Sequence, residues 1–166
     1  MRAEGLIQCR LCGETTSEVI YSGPIRSGGI DSLYKEGFKV LQCTFCSFTF
    51  LDPIPEGLKE FYETEEYRSK FDYDFSPENI HKTYDHEQND RLKRIGVENI
   101  RGKIVADLGC SAGVFLDVIS GIAEKTLAIE PALIYKDYLT EKGHTWYQYP
   151  ENAIEASEKA DLVVSF

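Results

Sequence analysis

One stretch limits the fold more than any other: Val105-Ala-Asp107-Leu-Gly109-Cys110-Ser111-Ala-Gly113-Val-Phe115. An apolar run feeds a glycine-bearing turn and passes directly into a helical pattern. Such a turn lets a ligand approach the backbone closely at the end of a strand. The surrounding sequence repeats the same alternation. Short apolar runs at 103–106 and 126–129 precede helical patterns at 113–122 and 133–142. A weaker strand at 145–149, a short helix at 152–159 and a final apolar strand at 161–166 follow. Strands alternating with helices predict an α/β region built on a parallel sheet.

The turn also discriminates between ligands. The dinucleotide pattern G-x-G-x-x-G requires glycine at 111 and 114, where this chain has Ser111 and Val114. Asp107 stands two residues before the first glycine. An acid there repels a pyrophosphate and suits a cationic ligand such as S-adenosylmethionine, with its sulfonium and ammonium groups.

Two C-x-x-C pairs, Cys9/Cys12 and Cys43/Cys46, flank residues 13–42. Together they offer four thiolates to one tetrahedral ion, the closed shell of structural Zn²⁺. Four protein ligands leave no open position for a substrate water, so the expected role is structural. Gly13 suits a tight turn after the first pair; Ser47 at the equivalent place leaves the second turn less clear. The segment 1–55 has only short β-like runs, at 18–21, 38–42 and 47–51, too little apolar surface to fold without a staple. Asp52-Pro53-Ile54-Pro55 closes it.

Between these regions lies a charged, helical segment, 56–101. Leu58, Phe61 and Tyr62 recur at helical spacing. Ser76-Pro77-Glu78 reads as a helix start, with Ile80, Tyr84, Leu92 and Ile95 as the apolar stripe. His81 and His86 fall on this charged helix and are expected to be solvated. The aromatic stretch 67–75 reads either as a core-facing cluster or as a lid over a ligand, with Tyr67, and Tyr84 on the helix, as candidate cofactor or substrate contacts.

Asp107-Leu-Gly109-Cys110-Ser111-Ala-Gly113 resembles the first motif of class I S-adenosylmethionine-dependent methyltransferases, with Ser111 in place of the commoner glycine. The resemblance implies that Asp107, Gly109, Cys110, Ser111 and Gly113 surround the methionine part of the cofactor. Leu127-Ala-Ile129-Glu130-Pro131 resembles the end of that family's second strand, which implies that Glu130 accepts from the two ribose hydroxyls. Asp161-Leu-Val-Val-Ser-Phe166 resembles its fourth strand. With the cysteine module in front, the whole chain is similar to the subgroup that includes C-methyltransferases of nucleotide-activated deoxysugars. The implied architecture is a partial Rossmann-like parallel sheet, its first four strands, behind a zinc-ribbon-like module (1–55) and a helical linker or lid (56–101). The methyltransferase portion spans 102–166. The family's sheet has seven strands, so the expectation is a fragment of a longer protein, inactive alone, or a chain that needs a partner.

The resemblance implies a small-molecule acceptor, such as a nucleotide sugar, and assigns no catalytic base. A zinc-bearing RNA methyltransferase and a non-catalytic binding protein derived from a methyltransferase are the competing expectations. Charge bears on the first of these. Lys+Arg is 18 against Asp+Glu 28, a formal net charge of -10, and no segment is basic. Gripping a long nucleic acid requires clustered cations, so none is expected as partner. No membrane span or signal peptide is legible, and paired cysteines read as metal ligands in a reducing cytoplasm.

Overall fold

A computed structural model describes residues 7–26, 33–34, 37–64 and 74–166. The chain divides into two compact units, Met1–Leu58 and Lys59–Phe166.

The first unit contains β1 (Ser17–Ser22), β2 (Ile25–Arg26), β3 (Leu33–Tyr34), β4 (Lys39–Cys43) and β5 (Thr49–Asp52). β1, β4 and β5 form an antiparallel sheet with β4 in the centre, and β2 pairs with β3. Its core is small: Cys9, Leu41, Cys43 and Phe50, with Ile7 and Cys46 packed against them. Leu41 and Cys43 point inward because side chains alternate along β4. Val19, Ile20 and Tyr21 of β1 are exposed, so the sheet itself buries little.

The second unit is mixed α/β. Its helices are α1 (Leu58–Glu63), α2 (Pro77–Ile95), α3 (Val114–Ile119), α4 (Lys136–Glu141) and α5 (Pro150–Glu155). Its strands are β6 (Ile104–Leu108), β7 (Lys125–Ile129), β8 (Thr145–Tyr147) and β9 (Leu162–Val164), all parallel, in the order β8-β7-β6-β9. Two apolar clusters lie on the two faces of this sheet, as the period of two requires. Val105, Ala128, Trp146, Leu162 and Val164 join α2, α3 and α4 on one face. Ala106, Leu127, Ile129 and Tyr147 meet Ala153 of α5 on the other.

Local chemistry sets the element ends. The Ser76 hydroxyl accepts from the Asn79 amide at 3.3 Å, Pro77 occupies the first turn, and Gly96 (φ 84°) ends α2. The predicted helix at 113–122 is shorter as α3, because Gly113 is its left-handed N-cap and not its first residue. The helical pattern at 133–142 begins as a 3₁₀ turn, Leu133–Tyr135, before α4, and Gly143 (φ 88°) follows it. β8 stops short of 149 because Pro150 starts α5, with Tyr149 donating its amide to Asn152 Oδ1 at 3.1 Å. Asp161 pins both ends of the β6–β9 start: Ile104 N donates to its carboxylate at 2.9 Å and its own amide donates to Ile104 O at 2.8 Å. Among the described residues, no helix is long and apolar enough to cross a membrane.

Candidate functional site

The first unit brings Cys9, Cys12, Cys43 and Cys46 together, with the four sulfurs all within 4.8 Å of one another. Cys9 Sγ lies 3.7 Å from Cys46 Sγ and Cys12 Sγ lies 3.7 Å from Cys43 Sγ. Bonds of about 2.3 Å to a tetrahedral zinc would put sulfurs about 3.8 Å apart. A disulfide would need about 2.05 Å, and all four are free thiols. This group is therefore able to hold a metal ion such as zinc.

The two knuckles are built alike. Gly13 N donates to Cys9 O and Ser47 N to Cys43 O, both at 2.9 Å, while Cys9 N donates to Glu14 O and Cys43 N to Phe48 O. Gly13 has φ 81° and Ser47 has φ 62°, so serine adopts the same left-handed turn that glycine supplies in the first knuckle. The turn left open by the sequence is thus equivalent in form. The Cys12 and Leu11 amides lower the Cys9 thiol to about 6 against the effect of burial.

In the second unit a cavity of about 380 Å³ opens beyond the carboxyl ends of β6 and β7. The sheet order makes this place special. The chain moves outward from β6 to β7 to β8, then returns to pair β9 on the far side of β6. Ligands of open parallel sheets bind where the strand order reverses in this way. Asp107, Gly109, Cys110, Ser111 and Glu130 all line the cavity.

Glu130 joins the two strands at its floor. Its Oε2 accepts from Ser111 N at 2.7 Å and its Oε1 from Ala132 N at 3.0 Å. Gly109 N continues the ladder to Ile129 O at 2.8 Å, and Trp146 Nε1 donates to Glu130 O at 3.2 Å. Both acids are almost fully covered, Asp107 at 4% exposure and Glu130 at 5%. Burial pushes the Asp107 carboxyl up to about 7; Arg91 draws it down, and Glu130 pushes it further up.

Ser111 is held at φ 52°, a left-handed conformation that costs a non-glycine residue about 1–2 kcal/mol. Its hydroxyl is buried without a hydrogen-bond partner, an arrangement that a polar ligand in the cavity would relieve. Gly109 has φ 77°, and a Cβ built there meets nothing within 4 Å, so the backbone faces open space. Gly113 stands behind the wall and serves packing: a Cβ would meet Leu139 Cδ2 at 2.7 Å. Cys110 Sγ donates to Ser111 O at 3.8 Å.

Tyr67 lies outside the described residues, as does the aromatic stretch up to residue 73. Of its last two residues, Asp74 accepts from Ser76 N at 2.9 Å and Phe75 O accepts from Tyr135 Oη at 3.2 Å. His86 is exposed, as expected, but His81 is half-buried. Its Nε2 lies 3.2 Å from Ala112 O and 3.2 Å from Tyr138 Oη, because α2 lays this side against the turn before α3. Behind that turn, buried His144 bridges Asp117 Oδ1 (2.9 Å) and Thr126 Oγ1 (2.8 Å), tying α3 to β7.

Sequence reasoning missed Arg91, Phe115, Pro131 and Phe166 as lining residues. For Arg91 the signal existed. Ile80, Tyr84, Gln88 and Arg91 share one helical face, so Gln88 and Arg91 interrupt an apolar stripe with polar groups that have to be turned inward. Phe166 reaches the cavity because β9 lies beside β6, a pairing that spacing alone does not specify.

No protein-family model matches the chain, and no curated protein matches it.

Proposed function

We propose that this chain binds S-adenosylmethionine in the cavity over β6 and β7 and belongs to a methyltransferase of the class I kind, with a small-molecule acceptor. The observation that carries the reading is the Glu130 bridge. A buried acid at the end of the second parallel strand fixes the glycine turn at the end of the first, and both acids face one cavity at the strand-order reversal. The order β8-β7-β6-β9 corresponds to 3-2-1-4 in chain order, the order expected of such a sheet's first half.

The donor set fits the ligand. An ionised Asp107 would attract the ammonium and sulfonium, and the cation would in turn hold this carboxyl ionised. Glu130 would take the ribose diol; a carboxylate offers about four acceptor sites, so its two amide bonds are compatible with that task. Gly109 would allow the ligand to lie against the backbone, and the Ser111 hydroxyl would gain a partner. When bound, S-adenosylmethionine supplies an electrophilic methyl group. The protein's contribution would be to hold it in line with an acceptor and to exclude water. A small-molecule acceptor rather than a long nucleic acid accords with the net charge of -10, and a nucleotide sugar is the acceptor that the sequence resemblance implies. In the first unit, Cys9, Cys12, Cys43 and Cys46 would hold a structural Zn²⁺.

Photo-crosslinking with methyl-tritiated S-adenosylmethionine tests the placement. Label should map to the peptides containing 107–115 or 130–131 and be competed by S-adenosylhomocysteine. Label confined to other peptides, or competed by NAD instead, would remove this cavity from the assignment.

A further inference from the structure

Two acids account for the cationic and hydroxylic parts of an S-adenosyl ligand, but an α-amino acid also carries a carboxylate. The cavity holds a group for it. Arg91, near the C-terminal end of α2 and the one cationic side chain among the described lining residues, faces the same space as Asp107. Its position is built and not incidental. Arg91 Nη2 donates to Glu87 Oε2 at 2.6 Å, one helical turn away, and its guanidinium carbon lies 4.5 Å from the Phe166 ring centroid. Phe166 is itself held edge-on to Phe115 at 4.9 Å. One contact holds a guanidinium nitrogen and the other holds the group over the Phe166 ring. A guanidinium has five N–H donors, so one held at both sites keeps donors for bidentate capture of a carboxylate.

The charge pattern narrows the partner. Arg91 lies close enough to Asp107 to draw its carboxyl down, yet its ion pair is with Glu87 and not with Asp107, so an anion and a cation are presented separately in one cavity. That is the complement of a zwitterion. We propose that Arg91 anchors the α-carboxylate of the ligand's methionyl end while Asp107 faces its ammonium, making the site selective for an intact α-amino acid. The inference rests on the S-adenosylmethionine reading above. Glu87 is then a positioning residue, acting through Arg91.

Calorimetric titrations with S-adenosylmethionine and its decarboxylated analogue, which keeps both cations and loses the anion, test it. The wild-type chain should prefer the intact ligand by at least about tenfold, the floor for a lost charge-assisted hydrogen bond. Arg91→Gln should bind both alike, with the analogue bound no more weakly than by wild type. Equal binding of the two ligands by wild type, or a preference retained in Arg91→Gln, would overturn the proposal and leave the cofactor reading standing. A wild-type chain that binds neither would bring down the cofactor reading and this inference together. Should Arg91→Gln lose both ligands through misfolding, Arg91→Lys decides: a weakened or lost preference for the intact ligand supports the anchor, and a preference equal to that of wild type overturns it.

Discussion

The two units of this chain solve the same problem, holding a turn of backbone in a left-handed conformation, by opposite means. In the first unit Gly13 and Ser47 close knuckles around sulfurs, and two of those sulfurs belong to the four buried residues of the core. The groups able to bind a metal are the groups that define the fold. In the second unit Gly109, Ser111 and Gly113 are held by a sheet with apolar clusters on both faces, and the polar groups gather at one rim. There the fold stands apart from the polar groups that line the cavity. A binding group that is also the core cannot be altered without unfolding; one at the rim of an independent core can.

Metal removal should break the comparison most visibly. Structural zinc in small modules contributes on the order of 10 kcal/mol to folding. Strong chelation, or Cys43→Ser, should therefore abolish amide protection in β4 and β5 while leaving β6 and β7 protected, read by hydrogen exchange with mass spectrometry. Protection of 39–43 that survives complete loss of zinc would show that the first unit does not depend on the ion.

A pair of glycine substitutions sharpens the contrast within the second unit. Gly113→Ala combines a left-handed φ with a 2.7 Å approach to Leu139 and should cost about 2–4 kcal/mol. Gly109→Ala meets nothing within 4 Å; it should cost only about 1–2 kcal/mol but weaken ligand binding by placing a methyl at the open cavity. Denaturant melts and ligand titrations separate the two. Equal stability losses, with binding intact in Gly109→Ala, would contradict the division into packing glycine and cavity glycine.

The smallest effect expected is a pH dependence. Asp107 is raised from 3.8 to about 7, so the folded unit favours its protonated form. That contribution to stability is fully present below 3.8 and is lost as pH rises through about 7. A cationic ligand has the opposite preference. Affinity for S-adenosylmethionine should rise about tenfold between pH 6 and pH 8, as the ionised fraction approaches one, and Asp107→Asn should flatten the profile. A wild-type affinity that falls over this range would separate Asp107 from the cationic end of the ligand.

The parallel sheet was legible because strand and helix periods alternate cleanly between 102 and 166, and Ser76-Pro77 announced α2 through cap chemistry alone. The four thiols were legible from spacing, since a C-x-x-C turn brings its own two sulfurs together. What spacing cannot give is the return of β9 to the far side of β6, which brings Phe166 to the cavity. Nor does it show that one helix face turns Arg91 inward while His81 reaches Ala112, because both look like ordinary members of a charged helix. Glu130's bond to Ser111 was hidden for a related reason: it joins residues 19 apart across a crossover whose geometry is tertiary.

The central claim is that the cavity over β6 and β7 recognises a cationic S-adenosyl ligand and not a dinucleotide. Isothermal titration of the wild-type chain with S-adenosylmethionine and, separately, with NAD measures this directly. The account predicts saturable, one-to-one binding of S-adenosylmethionine that is lost or weakened at least about tenfold in Glu130→Ala, with no comparable binding of NAD. Tighter binding of NAD, or an S-adenosylmethionine affinity indifferent to Glu130, would contradict it.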